Sequence, residues 1–392
     1  EKLSRSKLRV YKKLGLSDEQ IAFLSMQVSL TSFKMPDLKA LSLRTQLIRQ
    51  RRKDLKLIAC SKKIDTTASE YPSPSNYFYL SYDAQFCETK KETDKETVLI
   101  LGGGTYRIGA SVEFDWCAVS ASKTVQKLGM RSVMLNCNPE TVSTDYLNSD
   151  ALYFDELSLE TILEISEKEN TKKLIVSMGG QVPNKLALSL AKEGFELLGH
   201  TAKTIDMAED RRKFSNLCDS LSIAQPKWVS ASSKKALDDF IEENSFPVLV
   251  RPSYVLSGAC MAVAYDRASL ERSLGKASEL SLKHPLVVSK FHNGAREVEV
   301  DGVAKAGEII ISIVSEHVEN AGTHSGDATS VIPAQRLYVE TVRQIKKSSS
   351  LIASGLKLNG PFNMQFLAED NKVRVIECNA RAARSFPFVS KV

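Results

Sequence analysis

No two of the seven cysteines in this 392-residue sequence, Cys60, Cys87, Cys117, Cys137, Cys218, Cys260 and Cys378, form a CxxC pair, and their number is odd. Neither a zinc site nor a disulfide framework is suggested, and a reducing compartment fits best. No apolar stretch approaches the roughly 20 residues that a membrane-crossing helix needs. The basic opening (Lys2, Arg5, Lys7, Arg9) lacks the apolar run of a signal peptide. Charge of one sign is scarce as well. Lys and Arg number 53 against 47 Asp and Glu, a net +6 that suits phosphorylated substrates but is too small to argue for nucleic acid. No short-period repeat is present, so an internal duplicate of the module, if there is one, is expected outside this chain. The chain starts at Glu1 without a Met and reaches Val392 without a capped final helix, so a piece of something longer is expected.

What is present is an ordinary globular composition, 43% hydrophobic and 26% charged, long enough for two or three domains. Residues 1–93 mix helical patterns (Lys7 to Leu14, Ser17 to Met26, Asp37 to Arg51) with no strand alternation. A turn-rich aromatic stretch, Tyr71 to Tyr82, leads into the polar run Glu88 to Glu96, which sets a boundary near residue 94. From Thr97 the texture changes. Apolar runs at Val98 to Leu101, Ser132 to Leu135 and Leu174 to Ser177 alternate with helical patterns at Val112 to Leu128, Leu159 to Glu167 and Lys185 to Lys192, which is the order of a parallel α/β sheet. After Asp206 two helices (Arg211 to Leu221, Lys234 to Glu243) and four strands (from Pro247, Leu286, Glu297 and Glu308) read as a hairpin-rich α+β domain.

Five constellations could carry chemistry. Leu101 to Gly109 (LGGGTYRIG) lies between a buried strand and a helix that can end at Gly129, so its backbone could meet an anion at a helix N-terminus. It fits neither the dinucleotide fingerprint nor a Walker A loop, and a plain tight turn explains it equally well. Arg251 ends a strand before a loop of small residues (RPSYVLSG) and offers bidentate donors for phosphate, or a surface ion pair. Glu297, Glu299 and Asp301 share one strand face, the usual pattern of a solvated side, and matter for chemistry only if a ribose or magnesium sits opposite. Glu316 to Asp327 packs His317, His324 and three acids around Gly322 and Gly326. Glu316 and His317 could suggest a metal, but the spacing matches no zinc template, and His324 reads better as a phosphate or substrate contact.

The fifth is the most informative. A strand carrying Gln365, a turn at Glu369 to Asn371 and a return strand would set Glu377 and Asn379 on one face beside Gln365. Hard oxygen donors of this kind hold magnesium against nucleotide phosphates. Arg381 and Arg384 follow, able to neutralise a phosphoryl group in transit.

With these residues, the chain resembles the large chain of carbamoyl-phosphate synthetases, in its second, carbamate-phosphorylating half. The likeness runs from about residue 60 to 392. It rests on GTYRIGASVEFDW (Gly104 to Trp116), NPETVSTD (Asn138 to Asp145), RPSYVLSG (Arg251 to Gly258), EHVENAGTHSGD (Glu316 to Asp327) and RSFPFVSK (Arg384 to Lys391). The bicarbonate-activating half of that family reads NPAT and RPAFTLGG at the matching places. Departures are Gly103, Thr105 and Thr323, none of which removes a charged or metal-binding group.

The resemblance implies a helical oligomerisation-like domain with linker over residues 1–93, a pre-ATP-grasp domain over 94–205 and an ATP-grasp domain over 206–392. It implies ATP with Mg2+ or Mn2+. By motif, Arg211 and Arg251 would contact the ATP phosphates, and Lys290 and His292 would flank the adenine. Glu297 would bind ribose, and Gly322, Thr323, His324 and Ser325 would line the nucleotide site. Gln365, Glu377 and Asn379 would hold the divalent ions, and Arg381 and Arg384, with Asn379, would act on the transferred phosphoryl group. Carbamate would be the acceptor. A glutamine amidotransferase and the bicarbonate-activating half would be partners, in an oligomer of the cytoplasm or the mitochondrial matrix, with no nucleic acid and no membrane. An ATP-grasp carboxylase or ligase, or a non-catalytic nucleotide-binding scaffold, is the competing reading.

Overall fold

The computed structural model describes residues 3–26, 37–68, 70–72, 74–89, 94–104, 112–231, 233–252, 261–280, 286–323 and 327–392. They divide into two compact units, Glu1–Ala110 with Val119–Leu174, and Ser111–Ala118 with Ile175–Val392.

The first unit opens with helices α1 (Arg5–Lys13), α2 (Asp18–Met26) and α3 (Leu38–Asp54). Ser4 caps α1 by accepting from the Lys7 N–H, and Asp37 caps α3 in the same way from Lys39. Leu8, Ile21, Ala22, Leu41, Ile48 and Leu57 form their shared apolar core. Strands β1 (Cys60–Lys63), β2 (Tyr77–Ser81), β3 (Thr97–Leu101), β4 (Arg131–Asn136), β5 (Ala151–Phe154) and β6 (Lys173–Ile175) follow, with helix α4 (Val112–Lys127) after β3 and α5 (Leu159–Lys168) after β5. Their order across the sheet is β1-β2-β5-β4-β3-β6. β2 runs parallel to β5, and β4 runs parallel to both β5 and β3. Every residue of β3 and β4 is buried, as expected of parallel strands covered on both faces. The expectation of no strand before residue 94 is corrected by β1 and β2. These strands are short and rich in Lys, Ser and Tyr, so they carry no alternation to read.

A buried ionic network lies beneath α1–α3. Arg52 is fully buried, its Nη2 2.7 Å from Glu164 and 3.0 Å from Asp18. Lys12 Nζ is 2.5 Å from Glu160, which also accepts from Tyr82 Oη at 2.8 Å.

The second unit holds α6 (Gln181–Lys192), β7 (Glu196–Leu197), α7 (Ala202–Glu209), α8 (Arg211–Ser220), β8 (Trp228–Ser230), α9 (Lys234–Asn244), β9 (Val248–Pro252), β10 (Ala262–Ala264), α10 (Arg267–Leu280) and β11 (Leu286–Lys290). Then come β12 (Arg296–Lys305), β13 (Glu308–Asn320), β14 (Ser330–Val331), α11 (Val339–Leu356), β15 (Gly360–Glu369), β16 (Lys372–Asn379) and α12 (Phe386–Val389). One antiparallel sheet, β10-β9-β11-β8, packs on α9 and α10 through Leu237, Phe240, Val248, Val250, Ala264 and Leu270. The other, β14-β13-β12-β15-β16, is also antiparallel. Its packing requires Gly302 in β12, where a Cβ would meet the Phe362 ring at 2.6 Å and the Ile311 carbonyl at 2.7 Å. The β15–β16 turn places Asp370 and Asn371 at φ 47° and 61°, the two consecutive left-handed residues of a tight hairpin. No helix among the described residues is long and apolar enough to cross a membrane.

Candidate functional site

The registers of the five-stranded sheet assemble one polar face. Asn363 lies opposite both Asp301 and Asn379, and Gln365 opposite both Glu299 and Glu377. Residues opposed in a ladder share a face, so strands β12, β15 and β16 present Glu299, Asp301, Asn363, Gln365, Glu377 and Asn379 together. Asn363 Nδ2 donates to Asp301 at 2.9 Å and to Glu299 at 3.1 Å, and Gln365 Nε2 donates to Glu299 at 3.2 Å. Asn379 Nδ2 donates to Glu377 at 3.2 Å. The three acids of β12 are therefore not the solvated side of a strand, as their alternation suggested. Glu297, Glu299 and Asp301 are 7%, 6% and 2% exposed, and the amides of β15 answer two of them.

Burial has electrostatic consequences. It pushes Glu297 up to about 7, helped by the charges of Glu299 and Glu377 and opposed by His317 and the Gly322 N–H. It also pushes Asp301 up to about 6, again with Glu299 adding to the rise, although Ser385 Oγ donates to Asp301 at 2.6 Å. Burial alone would raise Glu377 too, but Arg211, the Asn379 amide, Arg251 and Arg381 outweigh it and hold this carboxyl below its usual range.

Three buried guanidinium groups belong to this site. Arg211, the first residue of α8, reaches Glu377 at 3.3 Å. Arg251 stands in β9 at 8% exposure, so the surface ion pair considered for it is excluded. Burial and the like charge of Arg211 push it down to about 9 against the pull of Glu377. Arg381 donates from Nη2 to Asn379 Oδ1 at 3.2 Å and approaches Glu209 within 4.0 Å. In all three the Nε atom is buried and has no hydrogen-bond partner among the described residues. A buried N–H without an acceptor costs about 1–3 kcal/mol, so three together describe a site shaped for an anion.

The other expected residues are distributed as follows. Lys290, ending β11, donates to the Phe246 carbonyl at 3.0 Å, and His292 lies 3.4 Å from Glu369 near the β15–β16 turn. Burial and then Arg374 lower the His292 pKa. Gly322, at φ 108°, faces the Phe291 ring, which a Cβ would meet at 3.1 Å, and Thr323 Oγ1 donates to the Asn320 carbonyl at 3.4 Å. Arg384 precedes α12, whose N-cap Ser385 holds Asp301. His324 and Ser325, with residues 105–111 and 253–260, lie outside the described residues.

Glu316 and His317, adjacent in β13, point to opposite faces. Glu316 pairs with Arg336 at 3.0 Å, whereas His317 lies 3.3 Å from Glu299. The metal that their adjacency could suggest is therefore not supported by strand geometry. Burial opposes a charge on His317, but Glu299 and Glu297 raise its pKa. Among the described residues no three His, Cys, Asp or Glu side chains are gathered for a metal. The donors of Gln365, Glu377 and Asn379 include two amides, and their all-oxygen chemistry suits Mg2+ better than a softer ion. Sequence reasoning gave no role to Asn363, Glu209 or Ser385. The pairing of Asn363 with Asp301 across two strands was the only signal for any of them, and it needs the register.

Two family models match the chain. The carbamoyl phosphate synthase pre-ATP-grasp domain covers residues 94–207, and the carbamoyl-phosphate synthase L chain ATP-binding domain covers 210–392. The chain belongs to the carbamoyl-phosphate synthase large-chain family. It is 45% identical over 392 residues to the multifunctional protein URA2 of Saccharomyces cerevisiae, all of this chain but 17% of that protein. It is 47% identical over 399 residues to the mitochondrial arginine-specific carbamoyl phosphate synthase large chain of Neurospora crassa, 33% of that protein. The chain thus spans between about a sixth and a third of these relatives. Among solved structures, the biotin carboxylase domain of Hydrogenobacter thermophilus 2-oxoglutarate carboxylase, with magnesium ADP and bicarbonate, matches at TM-score 0.61 and 16% identity over 75% of this chain and 65% of that one. N5-carboxyaminoimidazole ribonucleotide synthetase of Thermotoga maritima matches at 0.55 and 15%, over 76% and 71%. At such identities these carboxylase and synthetase neighbours bear on the fold alone, which is the ATP-grasp type.

Proposed function

We propose that this chain binds ATP and transfers its γ-phosphoryl group to carbamate, giving carbamoyl phosphate and ADP. The observation that carries the reading is the set of buried Arg211, Arg251 and Arg381, each with an unmet Nε–H, around the Glu377 carboxylate. Polyphosphate oxygens are acceptors of the right charge and number for them. In this reading Arg211 and Arg251 hold the phosphates, and Glu297 takes the ribose. Lys290 and His292 flank the adenine, and Gly322, Thr323, His324 and Ser325 line the nucleotide. Gln365, Glu377 and Asn379 hold Mg2+ or Mn2+, which when bound neutralises phosphate charge. Arg381 and Arg384 stabilise the transferring phosphoryl group, whose chemistry asks for positioning and neutralisation and not for a protein nucleophile.

The motifs at Asn138 to Asp145 and Arg384 to Lys391 favour the carbamate-phosphorylating half over the bicarbonate-activating one. Retention of Gln365, Glu377 and Asn379 disfavours a scaffold without catalysis. The division we favour is a helical oligomerisation-like domain at 1–93, a pre-ATP-grasp domain at 94–205 and an ATP-grasp domain at 206–392. A glutamine amidotransferase and a bicarbonate-activating half supply the carbamate, in the cytoplasm or the mitochondrial matrix.

The test is the reverse partial reaction in the full-length protein. ATP should form from ADP and carbamoyl phosphate, and Glu377→Ala should abolish it. Full activity in that variant overturns the site. ATP hydrolysis that requires bicarbonate, with no ATP made from carbamoyl phosphate, overturns the half-reaction.

A further inference from the structure

Two cysteines that the sequence keeps far apart meet at the edge of the first unit's sheet. β1 is the outermost strand, and the segment after Phe86 runs along its free side. The Glu88 N–H donates to the Ser61 carbonyl at 2.8 Å, Ser61 Oγ pairs with Thr89 Oγ1 at 2.7 Å, and Glu88 binds Lys62 Nζ at 2.6 Å. These contacts bring the Cys87 thiol, which is exposed, into hydrogen-bonding contact with the half-buried Cys60 thiol of β1. Lys168, the last residue of α5, sets its Nζ 3.6 Å from Cys87 Sγ and is fixed there by the Ala59 carbonyl. The Ser61 N–H points at the same sulfur.

This arrangement separates the two thiols by role. Partial burial alone would raise Cys87, but the Ser61 N–H, the Lys168 ammonium and the Cys60 thiol outweigh it and lower its pKa. Cys60 goes the other way, raised by burial and then by the neighbouring Cys87 sulfur. An exposed thiol of lowered pKa beside a cation, with a second thiol in contact, is the environment of a redox-active pair and not of inert core cysteines. By contrast Cys117, Cys218 and Cys378 are buried, and burial alone raises such thiols.

We infer that Cys60 and Cys87 form a reversible dithiol–disulfide site whose oxidant is a hydroperoxide. The Cys87 thiolate attacks the distal peroxide oxygen; an S–O bond forms, the O–O bond breaks, and the alcohol or water leaves with a proton. The Cys60 sulfur then attacks the Cys87 sulfenic acid. An S–S bond forms, the S–OH bond breaks, and hydroxide departs as water with the Cys60 proton. Two electrons pass from the two sulfurs to the peroxide. Disulfides span Cα separations of about 4.4–6.8 Å, the limit that this bond between contacting thiols must meet. Its product staples the 87–89 segment to the sheet edge.

The test uses the whole protein, treated with hydrogen peroxide under native conditions, alkylated and mapped by mass spectrometry. A Cys60–Cys87 cross-linked peptide that dithiothreitol removes is expected. In Cys60→Ser, peroxide should leave a sulfenic acid on Cys87 that dimedone captures. In Lys168→Met, iodoacetamide alkylation of Cys87 at neutral pH should slow several-fold, with its pH profile displaced upward. Both cysteines staying open to alkylation after peroxide, or the cross-link arising only in denaturant, overturns the inference. So does dimedone labelling of Cys60→Ser that falls on other cysteines and spares Cys87.

Discussion

Arg211 Nη1 lies 3.3 Å from Glu377 Oε2, although 166 positions separate the two residues in the chain. The pair joins the start of α8 to the end of β16, and Arg251 leans on it from a different sheet. One carboxylate thus answers two buried cations, and the surplus charge and unmet N–H groups make the nucleotide-free site costly to hold.

Replacing Arg251 with methionine removes one of the crowded cations without emptying its volume. Arg251→Met should raise the stability of the nucleotide-free protein by about 1–2 kcal/mol. The same change should erase most of the upward shift in Tm that ATP produces. Thermal unfolding of both proteins, with and without ATP, reads both effects. A full-sized ATP shift in the variant would show that Arg251 does not hold the nucleotide.

Glu297 makes a second expectation, in pH. Its carboxyl is raised from an ordinary 4.5 to about 7, so the folded chain holds this proton more tightly than the unfolded chain does. The stabilisation is full below the unfolded value and disappears as pH climbs through about 7, a loss on the order of 3 kcal/mol. Glu297→Gln should flatten that part of the profile and exceed the parent in stability above neutrality. Chemical denaturation across the range from about pH 5 to about pH 8 measures this directly. A parent profile flat over that range would refute it.

Asn363 is the residue on which two buried acids depend at once, since one amide nitrogen serves Glu299 and Asp301. Asn363→Ala should cost about 2–3 kcal/mol. Asn363→Asp should cost more, because it adds a third carboxyl to the group. Urea unfolding of the two variants tests the order, and a milder effect for Asp than for Ala would contradict it.

The hairpin carrying Gln365, Glu377 and Asn379 was legible because its signals are local: alternation, a turn at Asp370 and Asn371, and arginines just beyond. Gly129 likewise ends the first glycine loop's helix at φ 79°, as a helix C-terminus requires. The acids of β12 were misread because alternation reports a shared face and not whether that face is covered. The cover comes from Asn363 and Gln365, more than 60 positions later. β1 and β2 escaped notice for a similar reason. Lys62, Lys63 and Tyr79 do not look like sheet residues until β5 lies alongside. The Cys60–Cys87 contact depends on that same unreadable edge.

Arg52 carries one more consequence. Its guanidinium is the counter-charge for Glu164, and Lys12 answers Glu160, so the acids of α5 are balanced from the first 54 residues. The family's first domain model nevertheless starts at residue 94. A chain trimmed to that start would carry Glu160 and Glu164 without their cations. The charge balance of α5 therefore crosses the boundary at which that model begins.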